Sequence, residues 1–314
     1  MPPRPSLPAD WREALIVLPA AVPGLLAAFA TARTPSDAAG EAGLDPRAAR
    51  VVATALADLG YLEDAGAGAL ALTPRGSRLL APADDGTDVV GGLYLEARAM
   101  RSHLALADVL RDGRPADDVS AGDPVTVERF MRAMRHIGAP RVPATVAAVG
   151  PPPGARLLDV GGAPGTYARA FAAAGWEVTV LDLPAALAVA GAGLEAVGMR
   201  TVAGDATVAL PEGPWDAIYI GNLVHLLGPE EAAAVLARAG GALRPGGLLA
   251  VQEVLGDVSP QGPDFGVMML VSTPAGEAYP EARYREWMAA AACAVERVVA
   301  LEEGWHHLLL GRRA

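Results

Sequence analysis

The chain has 314 residues, enough to bury one or two ordinary cores, and 52% of them are hydrophobic. Its net charge of −11 argues against a general grip on a nucleic-acid backbone. All 25 basic residues are arginines, which excludes chemistry that needs a lysine amine, such as the Schiff base of a pyridoxal enzyme.

Cysteine usage and hydropathy point to a cytoplasmic protein without a membrane span. The single cysteine, Cys293, lies in an apolar helix-like stretch, where packing is its expected role. No disulfide can form within the chain and no cysteine zinc site exists. No run of 18 apolar residues is free of charge and proline.

The N-terminal part reads as helix, turn, helix and hairpin after a helical segment, Ala14–Arg33. The predicted elements are two helices (Ser36–Ala42 and Arg47–Leu59) and two hairpin strands (Tyr61–Glu63 and Ala69–Leu72). This order is typical of a winged helix and, taken alone, suggests a DNA-binding regulator.

Two features instead favour a dimerisation domain spanning residues 1–87. The second helix offers only Arg47 and Arg50 as cations and is mostly apolar, which suits packing against protein better than reading a groove. The segment Ala14–Phe29 is hydrophobic on nearly all sides, so we expect it to be buried in a homodimer.

Residues 88–150 are predicted to be helical, with helices at Leu93–Arg111 and Val125–Arg135, and to form a connector between the two domains and a lid over the substrate. From residue 151 to 314, short β-branched runs alternate with helical segments. The predicted strands are Arg156–Val160, Glu177–Leu181, Met199–Val202, Ala217–Ile220, Leu248–Val254, Ala294–Leu301 and His306–Leu310. This pattern predicts an α/β fold: a doubly wound, Rossmann-like, seven-stranded sheet with an antiparallel edge hairpin.

The stretch from Arg156 to Pro184 is a strand, a glycine turn, a predicted helix (Pro164–Ala174), a second strand and Asp182. A carboxylate about 20 residues after the glycines is placed to hold a ribose hydroxyl, so an adenosine-type cofactor is expected.

The dinucleotide fingerprint G-x-G-x-x-G fails here, because Ala163 and Thr166 stand at its third and sixth positions. The pattern is acidic-x-Gly-x-x-x-Gly, formed by Asp159, Gly161 and Gly165. This spacing fits close backbone approach to a small zwitterion, with an acid near its ammonium.

Four motifs in order, LLDVGGAPG, VLDLP, VAGDA and LRPGGLL, resemble those of class I S-adenosylmethionine-dependent methyltransferases. Four further features are similar to the O-methyltransferase family of plant caffeate-type and actinobacterial natural-product enzymes. They are the predicted winged helix and the segments FMRAM, AIYIGNLVHLLGPEEAAAVLARAGGALRPGG and TPAGEAYPEARYREWM. The resemblance covers the chain after residue 10.

The resemblance implies S-adenosyl-L-methionine as cofactor and assigns its contacts. Gly161 and Gly162 would face the methionine part, Asp182 the ribose, Leu183 the adenine face, and Asp205 and Ala206 the adenine edge. The sequence departs from the family at two positions, with Ala163 where a third glycine is usual and Gly221 where a basic residue is usual. Glycine at 221 removes the usual contact, so the donor is expected either to be held more loosely or to be held by Asn222.

Ligands of open α/β sheets bind outside the carboxyl ends of the strands, where His225 is expected between Asn222 and the next helix. Histidine has an ordinary pKa near neutrality, so His225 is the predicted general base. The resemblance gives the family's histidine the same role, although Leu226 and Leu227 replace the usual Asp-Trp pair. Glu253 and Glu277 are alternative candidates for the carboxylate that orients the base.

On the acceptor side, the resemblance suggests that Met134 walls the pocket, with His136 as a further candidate; core packing is the alternative for Met134. His306 and His307 alternate faces of a strand and cannot converge on one metal, so metal-independent chemistry is expected.

The predicted reaction is methyl transfer to a hydroxyl of a small aromatic or polyketide-like natural product. C- or N-methylation, a non-methylating reaction of the same fold, and a ligand-responsive winged-helix regulator are the alternatives.

Overall fold

The computed structural model describes residues 11–21, 24–80, 89–116, 124–150 and 154–314. The described residues up to 100, together with 132–137, form one compact unit, the first unit, and the described residues among 101–131 and 138–314 form the second unit. The three-part division predicted from the sequence stays a prediction.

The first unit contains the two helices and the hairpin predicted between residues 36 and 72, but the predicted helical segment Ala14–Arg33 is divided into two helices, with Gly24 in a left-handed conformation before the second. Its elements are α1 (Trp11–Ala21), α2 (Leu25–Ala28), α3 (Pro35–Ala42), α4 (Pro46–Asp58), β1 (Leu62–Gly66), β2 (Ala69–Leu72) and α5 (Pro74–Leu80). Thr34 and Asp45 cap α3 and α4, since their side chains accept hydrogen bonds from the backbone of Asp37 and Ala48 at 3.2 and 2.8 Å. β1 and β2 pair antiparallel, as expected for a hairpin.

The apolar segment predicted to be buried in a homodimer is largely buried within the first unit itself. Val17, Leu18, Leu26 and Phe29 are at most 1% exposed and belong to its core, whereas Leu15 remains 43% exposed. Burial of this segment within one chain removes most of the hydrophobic reason for a homodimer, which stays a proposal.

The central helices are α6 (Val89–Leu104), α7 (Leu106–Asp112), α8 (Pro124–Gly138) and α9 (Val142–Val149). The prediction of one helix over Leu93–Arg111 was wrong. A tight turn, in which the Ala105 amide donates to the Ser102 carbonyl at 3.1 Å, separates α6 from α7.

The second unit is built on a seven-stranded sheet of described residues, in the order β5-β4-β3-β6-β7-β9-β8. Its strands are β3 (Arg156–Val160), β4 (Glu177–Asp182), β5 (Arg200–Ala203), β6 (Trp215–Gly221), β7 (Leu243–Glu253), β8 (Val295–Leu301) and β9 (His306–Arg312). The first five run parallel, and β9 pairs antiparallel with both β7 and β8. The predicted fold class is confirmed.

Both faces of this sheet are buried, which explains the nearly continuous apolar runs of its strands. Ile218 and Ile220 of β6 belong to one core, whereas Ala217 and Tyr219 belong to the core on the opposite face. The covering helices are α10 (Thr166–Ala173), α11 (Pro184–Glu195), α12 (Pro229–Ala242), α13 (Gly262–Ser272) and α14 (Glu281–Ala290). Cys293 is buried in the first of these cores, as predicted.

Helix α10 begins at Thr166 and not at the predicted Pro164. Gly165, its N-cap, has a φ of 88°, a left-handed conformation that lies outside a right-handed helix. No described helix is long and apolar enough to cross a membrane.

Candidate active site

The turn after β3 is closed tightly over the Asp159 side chain. Gly161 has a φ of 70°, and its amide donates to the Leu181 carbonyl of the neighbouring strand at 2.8 Å. A Cβ on Gly162 would lie 2.5 Å from the Asp159 Cγ, so glycine is required there. Ala163 does not adopt a left-handed backbone, so the alanine that departs from the family pattern costs no strain.

Asp159 is a buried carboxyl group with an unused oxygen. It is 2% exposed, and its Oδ2 has no hydrogen-bond partner. Burial, followed by the negative charge of Asp182, raises the pKa of Asp159 to about 8. A cationic ligand at this turn would relieve both effects.

Asp182 ends β4 beside the same turn. Its Oδ2 accepts the Ala163 amide at 2.9 Å and its Oδ1 accepts the Leu183 amide at 2.7 Å. Burial raises the pKa of Asp182, and these two hydrogen bonds oppose the rise. Leu183 is 42% exposed, so its side chain is available to an adenine face.

At the end of β5, the predicted adenine-edge residues form a local turn. Asp205 is exposed, and its Oδ1 accepts the Thr207 amide at 2.8 Å and the Thr207 hydroxyl at 2.7 Å. Ala206 is half-buried against the core. Seven of the predicted cofactor contacts thus lie at the carboxyl ends of three adjacent strands, β3, β4 and β5. They are Asp159, Gly161, Gly162, Asp182, Leu183, Asp205 and Ala206.

After β6 the chain reverses direction, and His225 lies in the turn that follows. Asn222 has a φ of 55°, tolerated better by asparagine than by most residues, and its amide donates to the Gln252 carbonyl at 2.9 Å. A short 3₁₀ turn, Val224–Leu226, follows and contains His225, which is 6% exposed.

The end of β7 places Glu253 against this histidine. Its Oε1 accepts the backbone amides of Leu223 and Val224 at 3.1 and 2.8 Å. Its Oε2 pairs with His225 Nδ1, and the Glu253 side chain is fully buried. Because Nδ1 is held in this way, Nε2 is the ring nitrogen left for proton transfer.

Phe265 packs edge-on against the His225 ring, with centroids 4.9 Å apart and an interplanar angle of 88°. Sequence reasoning missed this contact, since no local pattern links α13 to the end of β6. The ring is thus fixed by a carboxylate on one side and an aromatic edge on another.

Glu277 meets His225 through its backbone: its amide donates to the His225 carbonyl at 3.0 Å, and its side chain is exposed. Of the two candidate carboxylates, the structure brings Glu253 to the imidazole. A Cβ on the neighbouring Gly276 would collide with the His225 carbonyl, so this segment supports the histidine loop by close backbone packing.

Met134 and His136 lie on the part of α8 that belongs to the first unit. Met134 is half-buried. The His136 ring lies so close to Gly92 of α6 that a Cβ there would be 2.7 Å from its Cδ2. Their assignment to the acceptor pocket stays a prediction.

Gly221 departs from the family pattern for a reason that the structure makes clear. A Cβ at this position would collide with the hydroxyl of Tyr219, which lies two residues earlier on the same face of β6. Tyr219 packs against Tyr167 and Phe171, with ring centroids 5.1 and 5.2 Å apart. A large side chain at 219 therefore requires glycine at 221.

Within the described residues, no group of three or more His, Cys, Asp and Glu side chains is arranged to hold a metal ion. The residues around the glycine turn do fit an adenosyl methyl donor. An unpartnered buried carboxylate, a glycine cradle and a second carboxylate on the adjacent strand together fit a ligand that carries an ammonium, a sulfonium and a ribose.

Comparisons with known proteins agree with this geometry. Residues 157–247 match a family model described as a methyltransferase domain. Acetylserotonin O-methyltransferase of Mus musculus molossinus is 30% identical over 334 aligned residues, which cover 95% of this chain and 83% of the relative.

Solved structures share the fold. Mitomycin 7-O-methyltransferase aligns with a TM-score of 0.78 and 23% identity, over 96% of this chain and 94% of the other. An O-methyltransferase of neocarzinostatin biosynthesis, in complex with S-adenosyl-L-homocysteine and 1,4-dihydroxy-2-naphthoic acid, aligns with a TM-score of 0.75 and 24% identity, over 96% and 97% of the two chains.

The family model and the identity to the mouse enzyme agree on methyl transfer, and the neighbouring structure in complex with S-adenosyl-L-homocysteine is consistent with the cofactor that the site fits. The chain belongs to the S-adenosylmethionine-dependent O-methyltransferase family that includes acetylserotonin O-methyltransferase.

Proposed function

We propose that the enzyme methylates a hydroxyl of a small aromatic or polyketide-like natural product, with His225 as general base. The observation that carries the proposal is the buried His225–Glu253 pair at the carboxyl edge of the sheet. It lies on the strands next to the donor turn, so that a base and an activated methyl group can share one crevice.

S-adenosylmethionine, when bound, supplies a methyl group that its sulfonium already activates. Asp182 would hold the ribose, and Asp159 would meet the ammonium of the methionine part. The glycine turn leaves room for close backbone approach. Positioning of the acceptor and removal of its proton are then the tasks left to the other residues.

His225 Nε2 would accept the proton of the acceptor hydroxyl as that oxygen attacks the methyl carbon. Glu253 fixes the ring through Nδ1 and stabilises the imidazolium that forms. The two backbone amides on its other oxygen hold Glu253 itself in place. General-base assistance of this kind accelerates a reaction by about 10²- to 10⁴-fold.

The acceptor class is supported by similarity and by an aromatic side chain beside the base. The similar proteins described above include enzymes named for acetylserotonin and mitomycin, and one in complex with 1,4-dihydroxy-2-naphthoic acid. Phe265 supplies an aromatic wall beside the base. Met134 and His136 remain the proposed acceptor-side residues, and metal-independent displacement remains part of the proposal.

The test is to incubate the enzyme and S-adenosylmethionine with a panel of phenols, naphthols, hydroxyindoles and enols, and separately with a panel of amines and carbon acids. Mass spectrometry should show addition of one methyl group and an equal amount of S-adenosylhomocysteine. If the donor binds in calorimetry yet phenols and enols stay unmodified while amines or carbon acids are methylated, O-methylation by this site is refuted.

A further inference from the structure

Tyr279 is a buried residue that the proposed mechanism does not use, although it contacts the loop that carries the base. It is 3% exposed, and its hydroxyl donates to the Leu227 carbonyl at 2.7 Å. Leu227 lies two residues after His225 in the histidine loop, the segment that joins β6 to α12. The bond therefore holds the part of this loop that follows the base.

Two other contacts hold the histidine loop before and at His225. The Glu253 carboxylate accepts two backbone amides that precede His225, and the Glu277 amide donates to the His225 carbonyl at 3.0 Å. The Tyr279 hydroxyl adds a contact on the other side of the base along the chain. Because the loop is held on both sides of His225, loss of one contact should let the imidazole shift relative to Glu253.

The backbone of Tyr279 holds the chain that follows Glu253. Its carbonyl accepts the amide of Gly256, three residues after Glu253, at 3.0 Å. The two segments approach so closely that a Cβ on Gly256 would lie 2.2 Å from the Ala278 carbonyl oxygen. Tyr279 thus contacts the chain after the base with its hydroxyl and the chain after the carboxylate with its backbone.

The direction of the Tyr279 hydroxyl is fixed by the packing of its ring. Trp287 and Tyr284 both pack edge-on against this ring, with centroids 4.8 and 6.3 Å away. Burial raises the pKa of Tyr279 to about 12, with the charge of Glu277 adding to the rise and that of Arg283 opposing it. The hydroxyl therefore stays neutral and able to donate.

We propose that Tyr279 is a positioning residue for the base, which sets the place of His225 relative to Glu253 by holding the chain that follows each of them. The inference rests on the proposed role of His225 in proton removal. Displacement of a reacting group by about 1 Å can cost about 10²-fold in rate. Tyr279 makes one of several contacts to the loop, so loss of its hydroxyl should cost less, about 3- to 30-fold in kcat.

Tyr279→Phe removes the hydroxyl and keeps the ring, and Tyr284→Phe is its matched control. Tyr284 is fully buried in the same aromatic cluster, but its hydroxyl has no hydrogen-bond partner. Burial, and after it the charge of Glu253, raises the pKa of Tyr284, so this second neutral hydroxyl lies near the same carboxylate. The two variants therefore differ in the hydrogen bond to Leu227.

Steady-state kinetics with the best phenolic acceptor should show the 3- to 30-fold lower kcat for Tyr279→Phe, at about the wild-type KM for the acceptor. Calorimetry should show wild-type affinity for S-adenosylhomocysteine. The proton NMR signal of His225 Nδ1, assigned by its loss in His225→Ala, should shift in Tyr279→Phe. Tyr284→Phe should retain the wild-type kcat and the wild-type signal.

A Tyr279→Phe variant with a lower Tm but the wild-type kcat and NMR signal would overturn the inference, because the hydroxyl would then stabilise the fold alone. Equal losses of kcat in the two variants would overturn it, as would a parallel loss of kcat and donor affinity in Tyr279→Phe. Wild-type turnover by His225→Ala would instead refute the proposed base itself.

Discussion

Two buried carboxyl groups at the carboxyl edge of this sheet differ because their neighbours differ. Glu253 accepts two backbone amides and pairs with an imidazole, so its charge is well supported. Asp159 is equally buried, but it has an unpartnered oxygen and lies near Asp182. The protein itself supplies hydrogen-bond partners to Glu253, whereas Asp159 needs a cationic ligand to be stable as a carboxylate.

Donor binding should therefore tighten as the pH rises from about 6 to about 8. Asp159 must be ionised to meet the ammonium, and in the ligand-free protein its pKa is raised to about 8, so binding releases a proton below that pH. Affinity should rise by up to about tenfold per pH unit. Calorimetry in two buffers of different ionisation enthalpy measures the proton; constant affinity without proton release contradicts this assignment.

The same carboxyl group sets a stability trend in the ligand-free protein. Its folded pKa of about 8 lies above the unfolded value of 3.8, so its contribution to stability is complete below pH 4 and is lost as the pH rises towards 8. The slope is at most about 1.4 kcal/mol per pH unit. Thermal unfolding of Asp159→Asn should show a smaller loss of Tm over this range than the wild type shows.

Glu253→Gln should lower kcat by about 10²- to 10⁴-fold, because a neutral amide cannot stabilise an imidazolium. Affinity for S-adenosylhomocysteine should change little, since the amide oxygen can still accept the Leu223 and Val224 amides. Glu277→Gln is the matched comparison on an exposed side chain. Steady-state kinetics that show the larger loss for Glu277→Gln would reverse the choice between the two carboxylates.

At the scale of elements, the glycine turn into α10 is held by packing as well as by backbone conformation. Gly165 and Gly175 have similar φ angles of 88° and 99°. A Cβ on Gly165 would collide with the buried Leu194 side chain, whereas a Cβ on Gly175 would meet nothing within 4 Å.

Gly175→Ala should cost about 1–2 kcal/mol for the left-handed backbone alone. Gly165→Ala should cost about 1–3 kcal/mol more, because the buried Leu194 must also move. Chemical unfolding of the two variants measures the difference directly. Equal losses would show that Leu194 yields without cost.

Sequence reasoning located the strands well, because strands buried on both faces read as apolar runs bounded by glycine and acidic residues. His225 and Glu253 were found because strand ends in an open α/β sheet meet at one edge. The turn at Ala105 was missed, since no proline or glycine marks it. The contact between Phe265 and His225 was also missed, because the two residues are far apart in the sequence and only the folded chain brings them together.

For the whole molecule, a homodimer remains our proposal. Most of the apolar N-terminal segment is buried within the first unit, but Leu15, Val51, Leu104 and Leu110 stay 43%, 52%, 80% and 72% exposed. Light scattering should give twice the chain mass of 32.0 kDa. A stable monomer at micromolar concentration would show that these side chains are simply solvated.

His225 is proposed to remove the acceptor proton, and the variant His225→Ala tests this role. Single-turnover methyl transfer to the best phenolic acceptor should fall by at least about 10²-fold, with unchanged affinity for S-adenosylhomocysteine. Exposed His103, changed to alanine, controls for loss of a histidine elsewhere. Wild-type turnover by His225→Ala, with the donor still bound, would contradict the assignment of the base.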